Sequence, residues 1–243
     1  MIIRKSSGWY MAIHYKSNEF LSEFLQYLAE KATNGEERLP PLTELSRELG
    51  VSVASLREQL EVARIFGFVE VRPKTGIRWL PYQFAPSILM SVVYAITISP
   101  EFFDQFRDLR NHLESAYFYE SLANLDLQHI DRLMVLVEYA ENKMEMYPPQ
   151  LPHREHRELH NILFSGVTNT FVKGIFSVYW EVYEAQGFSV ISDLDYLKRV
   201  WSYHRRIVEA IYKKDYAEAF EMFLEHKDLM MHTPKPVLNQ RFE

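Results

Sequence analysis

Along residues 39–80 the apolar positions recur first at helical spacing and then in alternation. Leu42, Leu45 and Leu49 make one helical stripe, which Gly50 ends. Ser52 is placed to cap a second helix, and Val51 before it to pack on Leu56 as a hydrophobic staple. Leu56, Leu60 and Ala63 then face inward, while Val53, Arg57, Glu61 and Arg64 face outward. After Gly67, residues 68–72 and 77–80 are β-rich runs on either side of Pro73-Lys74-Thr75-Gly76, a turn sequence. Helix, turn, longer helix and two-stranded ribbon is the order of a winged helix-turn-helix, a DNA-reading module. Upstream, the pattern predicts a first helix from an Asn18 cap to about Thr33, burying Phe20, Phe24, Leu25 and Leu28 and stopping at Asn34-Gly35. Residues 1–16 are apolar and aromatic without a clear period, and no long apolar stretch marks a signal peptide there.

Residues 82–87, with Pro81 and Pro86, read as a linker, and beyond them the signal is helical throughout. Helices are predicted near 88–98, 101–123, 127–146, 153–166, 170–187, 194–213 and 216–231. Ser192 with Asp195, and Asp215 with Glu218, have the spacing of capping boxes, and Pro148-Pro149 and Pro234 punctuate. The expected fold is mainly α. It comprises a winged helix-turn-helix over 1–83, a linker and bundle start over 84–95, an all-α bundle of about seven helices over 96–232, and a tail over 233–243.

Composition changes this picture in three places. With 243 residues, 47% of them hydrophobic, the chain is long enough for two cores. It has no cysteine, which excludes a disulfide framework and thiolate metal sites and suits a reducing cytoplasm. Residues 79–100 carry no charge, but Pro81, Pro86 and Pro100 interrupt them, so no membrane span is expected. The net charge of −6 looks wrong for a DNA binder until it is divided. Residues 1–83 hold 11 Lys and Arg against 10 Asp and Glu, and the remainder 16 against 23, so the acidity lies in the second part. A head of charge +1 binds DNA weakly alone. Two heads on a homodimer reading a palindromic operator gain affinity through effective concentration.

The chemistry of the helical part lies in its histidines. His156 and His160 are at i and i+4, on one helix face. His204 and His226 follow, and Leu159, Leu163, Ile207, Ile211, Met222 and Phe223 around these four give each helix an apolar face. Four neutral imidazoles converging in a bundle would bind zinc, nickel or a similar divalent transition metal, whereas an i,i+4 pair alone also fits ordinary core or surface histidines. His112, His129, His153 and His232 read as surface residues, with His153 a possible stand-in ligand one turn before His156. Phe176, Tyr179, Trp180 and Tyr183 share a helix face and suit either a cavity wall or a dimer seam.

These motifs resemble the GntR-type regulators. Glu37-Arg38-Leu39-Pro40, Glu44-Leu45-Ser46, Leu49-Gly50-Val51-Ser52, Leu56-Arg57-Glu58 and Gly67-Phe68-Val69, with Gly76 in the wing, match the family's winged helix in register over residues 18–82. The resemblance implies duplex DNA contacts from Arg38, Thr43, Arg47, Ser52, Val53, Ser55, Arg57, Lys74, Thr75 and Gly76. Val53 stands where the family usually has arginine, which removes one such contact. Residues 88–232 resemble the FCD domain of the FadR subfamily. Its metal-binding pattern falls on His156, His160, His204-Arg205-Arg206-Ile207 and Lys214-Asp215-Tyr216-Ala217-Glu218-Ala219 followed by His226. Asn169 sits where the family has an asparagine between the middle helices, and His156 occupies a position usually held by aspartate.

A ligand set of four neutral imidazoles leaves the metal's +2 uncompensated, so its open positions attract anions. Arg110 matches a family arginine and would clamp the other end of a small carboxylate effector, although its spacing to Glu114 is also that of an i,i+4 salt bridge. The reading is a DNA-binding regulator, on the family pattern a repressor, rather than an enzyme. The alternative is a helical metalloenzyme or metal-dependent hydrolase with an accessory DNA-binding domain. Against that, Arg157 follows His156 where a zincin has glutamate, and Glu158 comes one place late, which leaves Glu155 as the carboxylate that could act on a metal-bound water.

Overall fold

The computed structural model of the chain describes residues 20–32, 38–73, 76–186 and 193–231. The expectations for residues 1–16, Asn18, Thr33, Asn34-Gly35, Ser192, His232, Pro234 and the tail lie outside them. The chain forms two compact units, residues 1–87 and 88–243.

In the first unit, helix α1 (Glu23–Lys31) is capped by Ser22, whose hydroxyl accepts from the Leu25 N–H at 3.4 Å. Phe24, Tyr27 and Leu28 are its buried face. Phe20 is 91% exposed, contrary to the sequence expectation. Extended backbone at Ser22 starts the helix beyond Phe20 and leaves that ring off the inward face. Leu25 is only partly buried. Helix α2 (Leu42–Leu49) ends on Gly50, whose φ of 69° is the left-handed conformation a helix stop demands. Helix α3 (Val53–Ile65) starts at Ser52, which accepts from the Ser55 N–H at 3.2 Å, and buries Leu56, Leu60 and Ala63.

Strand β1 (Val69–Arg72) then pairs antiparallel with β2 (Gly76–Trp79), Val69 opposite Trp79 and Arg72 opposite Gly76. Leu39 donates its N–H to the Ile77 carbonyl at 3.0 Å and Arg38 bridges Arg78, so the segment before α2 is tied to the wing. Phe24, Leu45, Leu56, Leu60, Val69 and Ile77 close one core. Gly67 is required twice over, since its φ is +72° and a Cβ there would stand 2.7 Å from the Pro86 ring.

Helix α4 (Ala85–Ile98) spans the boundary of the units and begins three residues before the predicted position. The second unit continues through α5 (Glu101–Ala123), α6 (Leu127–Met144), α7 (His153–Leu163), α8 (Thr170–Ala185), α9 (Leu194–Tyr212) and α10 (Tyr216–Met231). Asp126, Asn169 and Asp193 cap α6, α8 and α9 through their side chains. At α9 the Asp193 carboxylate accepts from the Asp195 and Tyr196 N–H groups. At α10 Asp215 accepts from the Glu218 N–H at 3.1 Å, as expected. Phe118, Leu133, Leu159, Trp201, Ile207 and Phe223 are central to the core of this unit. Among the described residues no helix is long and apolar enough to cross a membrane.

Candidate metal centre and nucleic-acid interface

Helix periodicity brings the four histidines inside. Helix α9 turns Leu197, Val200, Trp201, His204, Ile207, Val208 and Ile211 inward, a continuous buried face on which His204 is one member. Ala219, Met222, Phe223 and His226 do the same on α10, and His156, Leu159, His160 and Leu163 on α7. One ring nitrogen from each of His156, His160, His204 and His226 lies within 4.8 Å of the other three, and all four residues are buried. Indole rings form part of the wall, Trp180 at 5.2 Å from His156 and 5.4 Å from His160, and Trp201 at 5.1 Å from His204.

The donor set fits a cation. His156 Nε2, His160 Nε2 and both ring nitrogens of His204 and His226 are buried with no hydrogen-bond partner. Each unpartnered buried nitrogen costs stability, and one shared cation satisfies four of them. Nitrogens about 2 Å from a common ion stand at most about 4 Å apart, so the cluster closes with a movement of about an ångström. Burial, reinforced for each by Arg110 or neighbouring imidazoles, holds all four histidines well below their usual pKa and therefore in the neutral, ligating form. The other described histidines are elsewhere. His112 contacts Asp108 and His129 contacts Asp126, both on the surface, and His153 lies outside the cluster.

Arg110 lies beside the imidazoles, 2% exposed. Its Nη2 is 2.6 Å from Glu114 Oε1 and 2.9 Å from His160 Nδ1, and its Nη1 donates to Asn111 Oδ1 at 3.2 Å. The guanidinium lies 4.6 Å from the Tyr179 ring centre and 5.5 Å from that of Trp180. The i,i+4 ion pair and the placement beside the histidines are thus both realised, in the interior instead of on a solvent face. Burial pushes the Glu114 carboxyl up to about 7, against the opposing pull of Arg110 and Lys227. A pocket of about 410 Å³ adjoins this group, lined by His160, Glu114, Phe176 and Trp180 together with the exposed Lys173 and Ser165. Among the described residues Lys173 has no ion-pair partner, whereas Arg157 at the same pocket is held by Glu184 at 2.8 Å. The Phe176 and Trp180 face of α8 therefore serves as a pocket wall.

Sequence reading missed Glu114 as a contact of His160, and it missed Lys173. Glu114 was legible only as an i,i+4 ion-pair partner of Arg110, and Lys173 carries no motif at all.

In the first unit, Arg38, Thr43, Arg47, Ser52, Arg57 and Gly76 are exposed, and Val53 and Ser55 partly so. Lys74 and Thr75 lie outside the described residues. Arg64 is engaged by Glu61 at 2.7 Å and Arg72 by Glu70 at 2.9 Å, while Arg38, Arg47 and Arg57 form no ion pair among the described residues. Ser52 and Ser55 spend an oxygen lone pair on the Ser55 N–H and on Gln59 Nε2, and keep their hydroxyl protons for an outside acceptor.

A ribbon-flanked helix with free arginines in one unit, and a bundle lined by imidazoles in the other, define a winged-helix protein with a helical second domain. A family model, FCD domain, matches residues 105–228, which is half of the chain and includes all four histidines. The chain belongs to the FCD-domain family, within the GntR/FadR type of regulators. Among solved structures, Streptococcus agalactiae GntR shares the fold, with a TM-score of 0.62 at 19% identity over 86% of this chain and 95% of that one. E. coli McbR/YncC is similar at 17% identity and a TM-score of 0.43, covering 87% of this chain and 96% of that one. A GntR-family transcriptional regulator from Pseudomonas syringae pv. tomato str. DC3000 is similar at 17% identity and a TM-score of 0.36, covering 85% and 80%. No curated protein matches the chain.

Proposed function

We propose that this protein is a homodimeric transcriptional repressor whose helical domain senses a small organic acid through a divalent metal, zinc or nickel, held by His156, His160, His204 and His226. The observation that carries this reading is the convergence of four neutral imidazoles, each with at least one buried and unpartnered ring nitrogen, in the interior of an FCD domain. The bound ion would act as a Lewis acid toward a carboxylate. The chain's own groups do the rest. Lys173 supplies positive charge at the exposed part of the adjoining pocket, Arg110 supplies it from behind His160 and Glu114, and Phe176 and Trp180 add apolar wall. Effector binding favours one arrangement of the helices over another, and the preferred arrangement sets the spacing of the two DNA-reading heads. A spacing that misfits the palindrome releases DNA.

Metal analysis of protein prepared without a polyhistidine tag is expected to find one divalent ion per chain. In DNA shift assays on metal-loaded protein, at least one member of a panel of small organic acids is expected to weaken operator binding, with the effect lost after chelation. No metal, and no acid that alters DNA affinity, would end this reading.

For the DNA side, Arg57 stands in the second turn of α3, exposed and with no ion-pair partner among the described residues. Arg57→Ala is expected to weaken operator binding by about 1–3 kcal/mol, roughly 5- to 150-fold, while leaving the thermal midpoint within a few degrees of wild type. Arg64→Ala, which removes an arginine already paired with Glu61, should cost far less. Equal losses for the two variants in a salt-controlled shift assay would remove Arg57 from the interface.

A further inference from the structure

Among the described residues, His160 is the one member of the histidine cluster whose ring has hydrogen-bonding partners. Both partners address the same nitrogen. Nδ1 is 3.2 Å from Glu114 Oε1 and 2.9 Å from Arg110 Nη2, whereas Nε2 is buried and has no partner. A neutral imidazole carries one proton, and its position decides which contact is a hydrogen bond. With the proton on Nε2, Nδ1 is an acceptor and takes a hydrogen bond from Arg110. With the proton on Nδ1, the ring donates to Glu114, the unpartnered Nε2 carries a free lone pair able to ligate a cation, and the Arg110 N–H loses its acceptor. The two arrangements exclude one another. Neither needs a large movement, because Glu114 Oε1 and Arg110 Nη2 are themselves 2.6 Å apart.

We propose that Glu114 and Arg110 form a tautomer switch on His160. The Glu114-paired tautomer is the metal-ligating one, and adopting it releases an Arg110 N–H toward an incoming anion. Glu114 is then a positioning residue. It acts on the ion through the imidazole, as carboxylates behind metal-bound histidines do, and it supplies the negative charge that an all-imidazole ligand set lacks. The Nε of Arg110, also buried and without a partner, makes the guanidinium under-satisfied once Nδ1 becomes a donor. Binding is consequently ordered, metal before anion. This inference rests on the reading of the four histidines as a metal site.

The test is zinc titration of the full chain against a competing chelator, combined with nitrogen-detected NMR of the histidine side chains. In wild type without zinc, His160 is expected to carry its proton on Nε2, and with zinc on Nδ1. Glu114→Gln, whose amide can serve either tautomer, is expected to bind zinc 10- to 100-fold more weakly. Glu114→Asp, which keeps the carboxylate, should recover part of that loss, which simple damage to the core would not do. Acetate, used as an anion probe, should perturb the Arg110 side-chain signal in zinc-loaded wild type and leave zinc-free protein unchanged. If wild type binds zinc while His160 keeps its proton on Nε2, or while Glu114→Gln binds as tightly, the switch is overturned and the metal site stands. Acetate binding equally with and without zinc overturns the order of binding. No zinc binding by wild type overturns the metal reading and the switch together.

Discussion

Below pH 6.5 the metal-free protein is expected to lose unfolding free energy with a slope approaching about 4 kcal/mol per pH unit. Burial depresses the folded-state pKa of His156, His160, His204 and His226 well below 6.5. For a depressed pKa the stabilising contribution is complete above the unfolded value and is lost on acidification, because the unfolded chain takes up protons that the folded one refuses. Each such histidine contributes up to about 1.4 kcal/mol per pH unit once the unfolded chain is protonated. Glu114 acts in the opposite sense. Its folded pKa, raised to about 7 from 4.5, makes the folded state the better proton binder between those values and offsets about one histidine.

A domain of ordinary stability, about 5–15 kcal/mol, does not survive much more than two or three pH units of such a slope. Urea melts of chelated protein between pH 7.5 and 5.5 measure it directly, and a flat midpoint across that range would show that the imidazoles are not held neutral by burial. With zinc a thousandfold above its dissociation constant, stability at pH 7.5 is expected to rise by about 4 kcal/mol. His204→Ala should abolish most of that increment.

Replacing Arg110 by leucine is expected to cost about 3–5 kcal/mol at pH 8. The change strands the Glu114 carboxylate, 1% exposed, beside the Tyr179 and Trp180 rings. It also removes the donor at 2.6 Å and leaves Asn111 Oδ1 without its Arg110 contact. At pH 6 the cost should be smaller, since Glu114, titrating at about 7, is then largely neutral and needs no counter-charge. The double variant Arg110→Leu with Glu114→Leu should recover at least half of the single-variant loss, because no uncompensated charge remains. Denaturant melts of the three variants at both pH values decide the matter. Additive losses would mean that Arg110 and Glu114 are not coupled, and would undercut the switch on His160 as well.

Most of the secondary structure was legible because it obeys local rules. The second-unit helices fall within a few residues of their expected limits, and Leu56, Leu60 and Ala63 face inward as the 3.6-residue period requires. Departures come where a cap decides a boundary. Ser22 starts α1 late enough to leave Phe20 exposed, and Asp193 caps the start of α9. Hydrophobicity reports which residues favour burial, whereas a side-chain oxygen fixes where a helix can begin, and the two signals need not coincide.

What the sequence determined by itself is the order of the two units, the face each histidine occupies on its own helix, and the motifs that tie both halves to known regulators. Each of these depends on neighbours within a few residues. Only the tertiary structure decided that three helices bring their imidazoles to one place, that Arg110 is enclosed against Tyr179 and Trp180, and that Glu114 competes with it for His160. Those contacts join positions on different helices, 22 to 70 residues apart along the chain, where periodicity carries no distance information, and the low-dielectric interior they create is what turns ordinary histidines and one glutamate into groups with altered proton affinity.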